Sequence, residues 1–284
     1  MKNILVATDF SLEANNAFEV AVQLAQHTGG QLTLMHVLED ADEASGGFST
    51  VGGPVSGHSI DQIFTIKLME ATKRRMHALQ AKAALWAPGV PVQDVVEVAR
   101  VGDGILTAIQ RYGADLVVVG ARGHGAVDHF FVSSTTERLI RLAPCPVLTV
   151  KHTQPAFKVQ HIVFPSDFTA DAAGALDGLR RVLAVFPDAT LHLLHVAAGT
   201  SGHVAQQQMQ DFAQQHQLAH CLTAEVDAER ISAGIEEYAQ RVAADVVVIP
   251  THARSGLSRF LRTSIAETVA THAFPPVLTY HLAN

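Results

Sequence analysis

Short apolar runs recur along the chain at residues 4–8, 32–37, 92–98, 115–119 and 146–150, separated by longer stretches in which apolar residues return at helical spacing. Runs of this length predict strands, and the stretches between them predict helices, the order of βα units around a parallel sheet. In Leu116-Val117-Val118-Val119 every position is apolar. Such a strand is expected to be covered by helices on both faces. From Ile60 to Trp86 there is no Gly or Pro, and Ile63, Ile66, Met69, Met76 and Leu79 fall at helical spacing, so one long amphipathic helix is predicted, stopped by Pro88-Gly89. The segment before it, Glu39 to Ser59, holds Gly46, Gly47, Gly52, Gly53 and Gly57 and predicts a mobile surface loop.

The pattern then occurs a second time. Ile4-Leu5-Val6-Ala7-Thr8-Asp9-Phe10 returns as Ile162-Val163-Phe164-Pro165-Ser166-Asp167-Phe168, and Leu32-Thr33-Leu34-Met35-His36-Val37 as Leu191-His192-Leu193-Leu194-His195-Val196. Later, Ala114-Asp115-Leu116-Val117-Val118-Val119 matches Ala244-Asp245-Val246-Val247-Val248-Ile249, and Pro146-Val147-Leu148-Thr149 matches Pro276-Val277-Leu278-Thr279. The later matches lie closer together than the early ones, so the first copy carries an extra segment between Val37 and Gly104. Lys151 to Lys158 has no periodicity and reads as the linker. The expected organisation is two domains, residues 1–151 and 158–284, each a doubly wound α/β unit with a five-stranded sheet.

Composition agrees with a folded chain: 48% of the 284 residues are hydrophobic and 17% charged, too apolar for disorder. A net charge of -7 lacks the cationic surplus that a phosphate backbone demands, which argues against nucleic acid as a partner. The opening residues are too short an apolar stretch for a signal peptide, and no uncharged run approaches the ~20 residues of a membrane span. The two cysteines, Cys145 and Cys221, fall in different halves. These features lead to the expectation of a cytoplasmic protein with no membrane partner.

In open parallel sheets ligands sit beyond the carboxyl ends of the strands, where strand order reverses. Four segments of the first repeat converge there: Ala7-Thr8-Asp9, Val37, Gly120 and the start of the helix near Ser133. Gly120-Ala121-Arg122-Gly123, then nine residues, then Ser133-Ser134-Thr135-Thr136-Glu137 combines glycines that admit a phosphate with a helix N-terminus that attracts one. Ser134 and Glu137 also have the spacing of a capping box, and a glycine turn before a capped helix is equally ordinary loop architecture.

Gly120-x2-Gly123-x9-Ser133-Ser134 resembles the nucleotide-binding signature of the universal stress proteins, Gly-x2-Gly-x9-Gly-Ser/Thr, with Ser133 standing where the family has glycine. The opening Ile-Leu-Val-Ala-Thr-Asp-Phe-Ser, the His36-Val37 strand end and Ala143-Pro144-Cys145-Pro146-Val147 extend the resemblance over nearly the whole chain. It implies nucleotide-binding, Rossmann-like domains of strand order 3-2-1-4-5, paired through their fifth strands as an internal pseudo-dimer, with homodimerisation left open. It also implies an adenine nucleotide (ATP, ADP or AMP), with Mg²⁺ left open, in the first domain. Ala7, Thr8 and Asp9 would lie toward the ribose and the Val37 backbone against adenine, while Gly120, Arg122, Gly123, Ser133, Ser134 and Thr135 would surround the phosphates. In the second repeat Pro250, Ala253 and Thr263 replace Gly120, Gly123 and Ser133, which degrades the cradle, although Ser264 and Glu267 keep the spacing of a helix cap.

Sixteen histidines raise the question of a metal, with His192-x2-His195 the most suggestive pair. Residues three apart on a strand face opposite ways, so the pair cannot chelate one ion; His124 and His129 lie near the phosphate loop. Cys145, between two prolines, reads as a small buried hydrophobe. Arg254, Arg259 and Arg262, like Arg122, precede a final helix and read as loop charge. The resemblance implies a stress-response sensor with an unidentified protein partner, its 39–59 loop closing over bound nucleotide, and the lack of a Walker lysine or a spaced Ser/His/Asp set gives no sign of rapid catalysis. A slow ATPase or phosphotransferase using Asp9, and a nucleotide-free scaffold, stay open as alternatives.

Overall fold

The computed structural model describes residues 1–39, 57–121, 132–168, 176–198, 206–251, 257–272 and 274–281, with backbone alone for 57–65, 132–134 and 257–264. Residues 40–56 of the expected loop, together with Arg122, Gly123, His124, His129, Ala253 and Arg254, lie outside the described residues. In the first half the elements are β1 (Asn3–Ala7), α1 (Leu12–Thr28), β2 (Gln31–Leu38), α2 (Gly57–Trp86), β3 (Val92–Val98), α3 (Val101–Arg111), β4 (Leu116–Gly120), α4 (Val132–Leu142) and β5 (Val147–Val150). The second half follows with β6 (His161–Pro165), α5 (Leu176–Val185), β7 (Thr190–Ala198), α6 (Gln206–Gln215), β8 (Cys221–Ala228), α7 (Ile231–Arg241), β9 (Val246–Thr251), α8 (Leu257–His272) and β10 (Val277–His281).

Among the described residues all ten strands form one sheet, in the order β3-β2-β1-β4-β5-β10-β9-β6-β7-β8. Each half is therefore wound 3-2-1-4-5, and its own strands run parallel. The fifth strands join the halves: β5 and β10 pair antiparallel with Leu148 opposite Leu278. Thr149 and Thr279, equivalent in the repeat, donate their hydroxyls across this seam to the Val277 and Val147 carbonyls at 3.2 and 3.4 Å. Arg141 on α4 forms a bidentate pair with Glu267 on α8 over the same seam.

The centre of the sheet is buried on both faces, as its uninterrupted valine and leucine runs require. Val6, Leu34 and Val118 contribute to one cluster and Leu5, Met35 and Val117 to the other. Fully burying each such side chain stabilises the fold by about 1.5–3 kcal/mol. On one face the core continues from the first half into the second, reaching Phe164 and Leu193. On the other face Ile140 of α4 packs into the second half's cluster with Val277.

Two sequence expectations are corrected here. Over the part of helix α2 whose side chains are described, the expected apolar face is incomplete: Met76 and Ala83 are buried and Leu79 packs on the core, but Ile66 is 57% exposed and Leu68 also faces solvent. Periodicity registers spacing, whereas burial depends on how far the sheet extends beneath the helix. The capping boxes also fail. Helix α4 already begins at Val132, placing Ser134 within its first turn, and α8 begins at Leu257, placing Ser264 in its interior.

Residues 151–160 contain no helix or strand, yet they are pinned to α1. The buried Asn16 donates to the Lys151 carbonyl at 3.0 Å, and Gln23 brackets the segment by donating to the Gln154 carbonyl and accepting the Phe157 N–H.

Candidate functional site

Strand order reverses between β1 and β4, and the chain leaves both strands there in opposite directions. At their carboxyl ends lies a cavity of ≈ 160 Å³ lined by Ala7, Thr8, Asp9, Ala14, Met35, His36, Val37, Glu39, Val101, Ile105, Val119, Gly120, Thr135 and Thr136. Cavities of about 150 Å³ admit a benzene-sized ring, so the space suits a small aromatic ring. Of the residues singled out in the sequence, Ala7, Thr8, Asp9, Val37, Gly120 and Thr135 meet in this cavity. Ser133 and Ser134 lie in the first turn of α4, next to Thr135, and Arg122 and Gly123 lie outside the described residues.

The floor is set by how β1 ends. The Thr8 N–H donates to the Met35 carbonyl at 2.8 Å, the last rung between this segment and β2. The chain then turns sharply: Phe10 takes a left-handed φ of 64°, which a non-glycine residue seldom adopts. Side chains hold the turn. The Thr8 hydroxyl accepts the Phe10 N–H at 3.0 Å, Asp9 accepts the Ser11 N–H at 2.8 Å, and Ser11 caps α1 by accepting from Ala14. One Asp9 carboxylate oxygen is thus engaged in shaping the loop. His36 donates from Nδ1 to the Thr8 carbonyl at 2.6 Å, which fixes its tautomer and leaves Nε2 as an acceptor in the neutral ring.

The wall formed by α4 is anchored by Arg138, which pairs with Asp103 on α3. Thr136 is buried beside the cavity. The sequence reading assigned Gly120 to phosphate approach, and the structure adds a reason independent of any ligand. A Cβ at Gly120 would sit 2.5 Å from the Ala14 nitrogen and 2.5 Å from the Glu13 carbonyl carbon, so the glycine lets α1 dock on the end of β4.

The second half repeats the β1 ending. Ser166 donates to the Leu194 carbonyl, Phe168 has a φ of 52° with its N–H on the Ser166 hydroxyl, and His195 Nδ1 meets the Ser166 carbonyl at 3.1 Å. Pro250 stands in place of Gly120, without an N–H and with ring carbons where Gly120 has none. His192 faces away from His195 and contacts the Tyr238 hydroxyl and His161, each at 3.1 Å. Burial, with His161 adding to it, holds the His192 pKa below the usual histidine value. Among the described residues no cluster of three or more His, Cys, Asp and Glu side chains could hold a metal ion. Burial pushes the Cys145 thiol up to about 12, so it stays protonated and unreactive near neutral pH. Among the same residues no helix is long and apolar enough to cross a membrane.

A family model described as the universal stress protein family matches residues 1–151 and again 158–281. A universal stress protein of Thermus aquaticus is 35% identical over 153 residues, spanning 53% of this chain and 98% of the relative. A putative universal stress protein of Staphylococcus epidermidis is 31% identical over 156 residues, spanning 53% and 84%. The fold of the whole chain is shared with a universal stress protein from Archaeoglobus fulgidus, with a TM-score of 0.69 at 16% identity over 99% of this chain and 98% of that one. A putative universal stress protein from Pseudomonas aeruginosa aligns at a TM-score of 0.63 and 18% identity over 99% and 93%.

Proposed function

We propose that this chain, which belongs to the universal stress protein family through both of its halves, binds an adenine nucleotide in its first half and serves as a stress-response sensor. The observation that carries the reading is the cavity at the strand-order reversal, where Ala7, Thr8, Asp9, Val37, Gly120 and Thr135 come together. Apolar Met35, Val37, Val119 and Ile105 offer surfaces to a base. The second carboxylate oxygen of Asp9 and the Glu39 carboxylate suit ribose hydroxyls, or a Mg²⁺ ion accompanying the phosphates. Phosphates would extend toward the N-terminus of α4, whose dipole favours anions.

One observation favours a nucleotide-free scaffold instead: Gly120 is explained by the docking of α1, which removes one of the glycines as a sign of phosphate binding. Isothermal titration of nucleotide-stripped protein with Mg-ATP, beside a Gly123→Val variant of unchanged circular dichroism, separates the two. One ATP per chain for the unaltered protein and none for the variant supports the sensor. Absence of binding by both supports the scaffold.

A further inference from the structure

The chemistry that selects the base follows from the hydrogen-bond ladder between β1 and β2. In a parallel pair, alternate residues of a strand turn both N–H and C=O toward the same neighbour. Met35 does so toward β1, since its carbonyl accepts the Thr8 N–H, and Val37, two residues on, faces the same way. Continuing the ladder would place the Val37 N–H on the Thr8 carbonyl and the Phe10 N–H on the Val37 carbonyl. Neither bond forms. The Thr8 carbonyl is taken by His36 Nδ1, and the Phe10 N–H by the Thr8 hydroxyl. The next rung is thus capped on its β1 side by two side chains, which leaves the Val37 N–H and C=O without a β1 partner at the edge of the cavity that Val37 lines.

The imidazole is itself held in place. The Phe10 ring lies 4.8 Å from it, and the Arg75 guanidinium of α2 sits 4.1 Å above the Phe10 ring. The second half solves the same problem with the same groups, His195 on the Ser166 carbonyl and the Ser166 hydroxyl on the Phe168 N–H. Two copies that have lost much other identity retain this device, a second observation of the same geometry within one chain.

Resting on the nucleotide reading, we infer that His36 is the positioning residue that sets base specificity: by drawing the Thr8 carbonyl out of line with the β1–β2 ladder it keeps the Val37 N–H and C=O open as an adjacent donor and acceptor. That pair is complementary to a ring nitrogen beside an exocyclic amino group, as in a 6-aminopurine. A 6-oxopurine reverses both groups and sets donor against donor and acceptor against acceptor. Replacing His36 by leucine removes that pull, so that the Thr8 carbonyl turns back to accept the Val37 N–H and closes the pair. Asparagine restores a donor near the place of Nδ1 and keeps the pair open.

The test titrates AMP and IMP into the full chain carrying His36, His36→Leu or His36→Asn. The unaltered protein is expected to prefer AMP by roughly two- to hundredfold, from one to two hydrogen bonds at ~0.5–1.5 kcal/mol each. His36→Leu should bring the two nucleotides to similar affinity, and His36→Asn should retain the preference. A purely structural role for His36 would weaken both nucleotides equally and leave their ratio unchanged, which overturns the inference while leaving the nucleotide reading intact. Hydrogen exchange on the nucleotide-free protein tests the same geometry without a ligand. The Val37 amide should exchange faster than the Met35 amide, and His36→Leu should slow it. A Val37 amide as protected as Met35 in the unaltered protein would show the rung to be closed and overturn the inference, whatever the titrations give.

Discussion

Gly120 separates a glycine kept for a ligand from one kept for the fold. Its φ lies outside the left-handed region, so alanine meets no backbone strain there, and the whole cost comes from the added methyl. That methyl would lie 2.5 Å from the Ala14 nitrogen, 2.5 Å from the Glu13 carbonyl carbon and 2.8 Å from the Glu13 oxygen. All three are backbone atoms of the first turn of α1, so no rotamer change relieves the overlap. The helix must lift from the end of β4, loosening the buried Ala14 and Ala17. Overpacking of this kind costs about 1–3 kcal/mol. In a chain of this size that lowers Tm by roughly 2–4 °C per kcal/mol. The assay is thermal and urea unfolding of nucleotide-free Gly120→Ala, followed by both far-ultraviolet dichroism and fluorescence because the two halves need not unfold together. If the variant is as stable as the parent to within ~0.5 kcal/mol and loses only nucleotide affinity, the docking argument is wrong and the glycine serves the ligand.

Further predictions concern the second half, the linker and the seam. A Cβ at Gly178 would fall 2.1 Å from the buried Tyr280 ring, where the first repeat has Val20 and Val150, so Gly178→Ala should destabilise by ~1–3 kcal/mol; urea midpoints should show Tyr280→Val in the same chain recovering much of the loss. Burial lowers the Lys151 pKa to about 7, against the pull of Glu236 in the other direction. The unfolded chain then holds a proton that the folded chain lacks between about pH 7 and the unfolded lysine value of ~10.4, so this residue makes stability rise with pH across that window. Compared with Lys151→Met by urea unfolding, the parent should gain roughly 2–3 kcal/mol more between pH 7 and 9; equal slopes would refute the burial argument. Arg141→Ala removes a bidentate pair whose arginine side chain is half exposed, and double-mutant cycles with Glu267→Ala should give a coupling of ~0.5–1 kcal/mol that shrinks in high salt.

Much of the fold was legible in the sequence because each half is written in two periods, the short apolar runs of buried strands and the helical spacing between them. The repeat of Ile4–Phe10 in Ile162–Phe168 exposed the duplication, and position beyond the strand ends marked Ala7, Thr8, Asp9, Val37 and Gly120 as neighbours. Periodicity could not show that Ile66 is exposed, or that α4 and α8 start ahead of the serines that looked like caps. Nor did spacing disclose that Asn16 and Gln23 hold the linker, since their partners lie more than a hundred residues away. The sequence by itself determined the elements, their duplication and the end of the sheet where Ala7–Asp9, Val37 and Gly120 meet, since these depend on local pattern and chain direction. Only tertiary structure decided that Gly120 is required by a neighbouring helix, that Lys151 is buried, and that His36 and the Thr8 hydroxyl interrupt the ladder beside Val37. Each of those facts depends on atoms brought together from distant segments or across a turn, at distances that no pattern of residue types encodes.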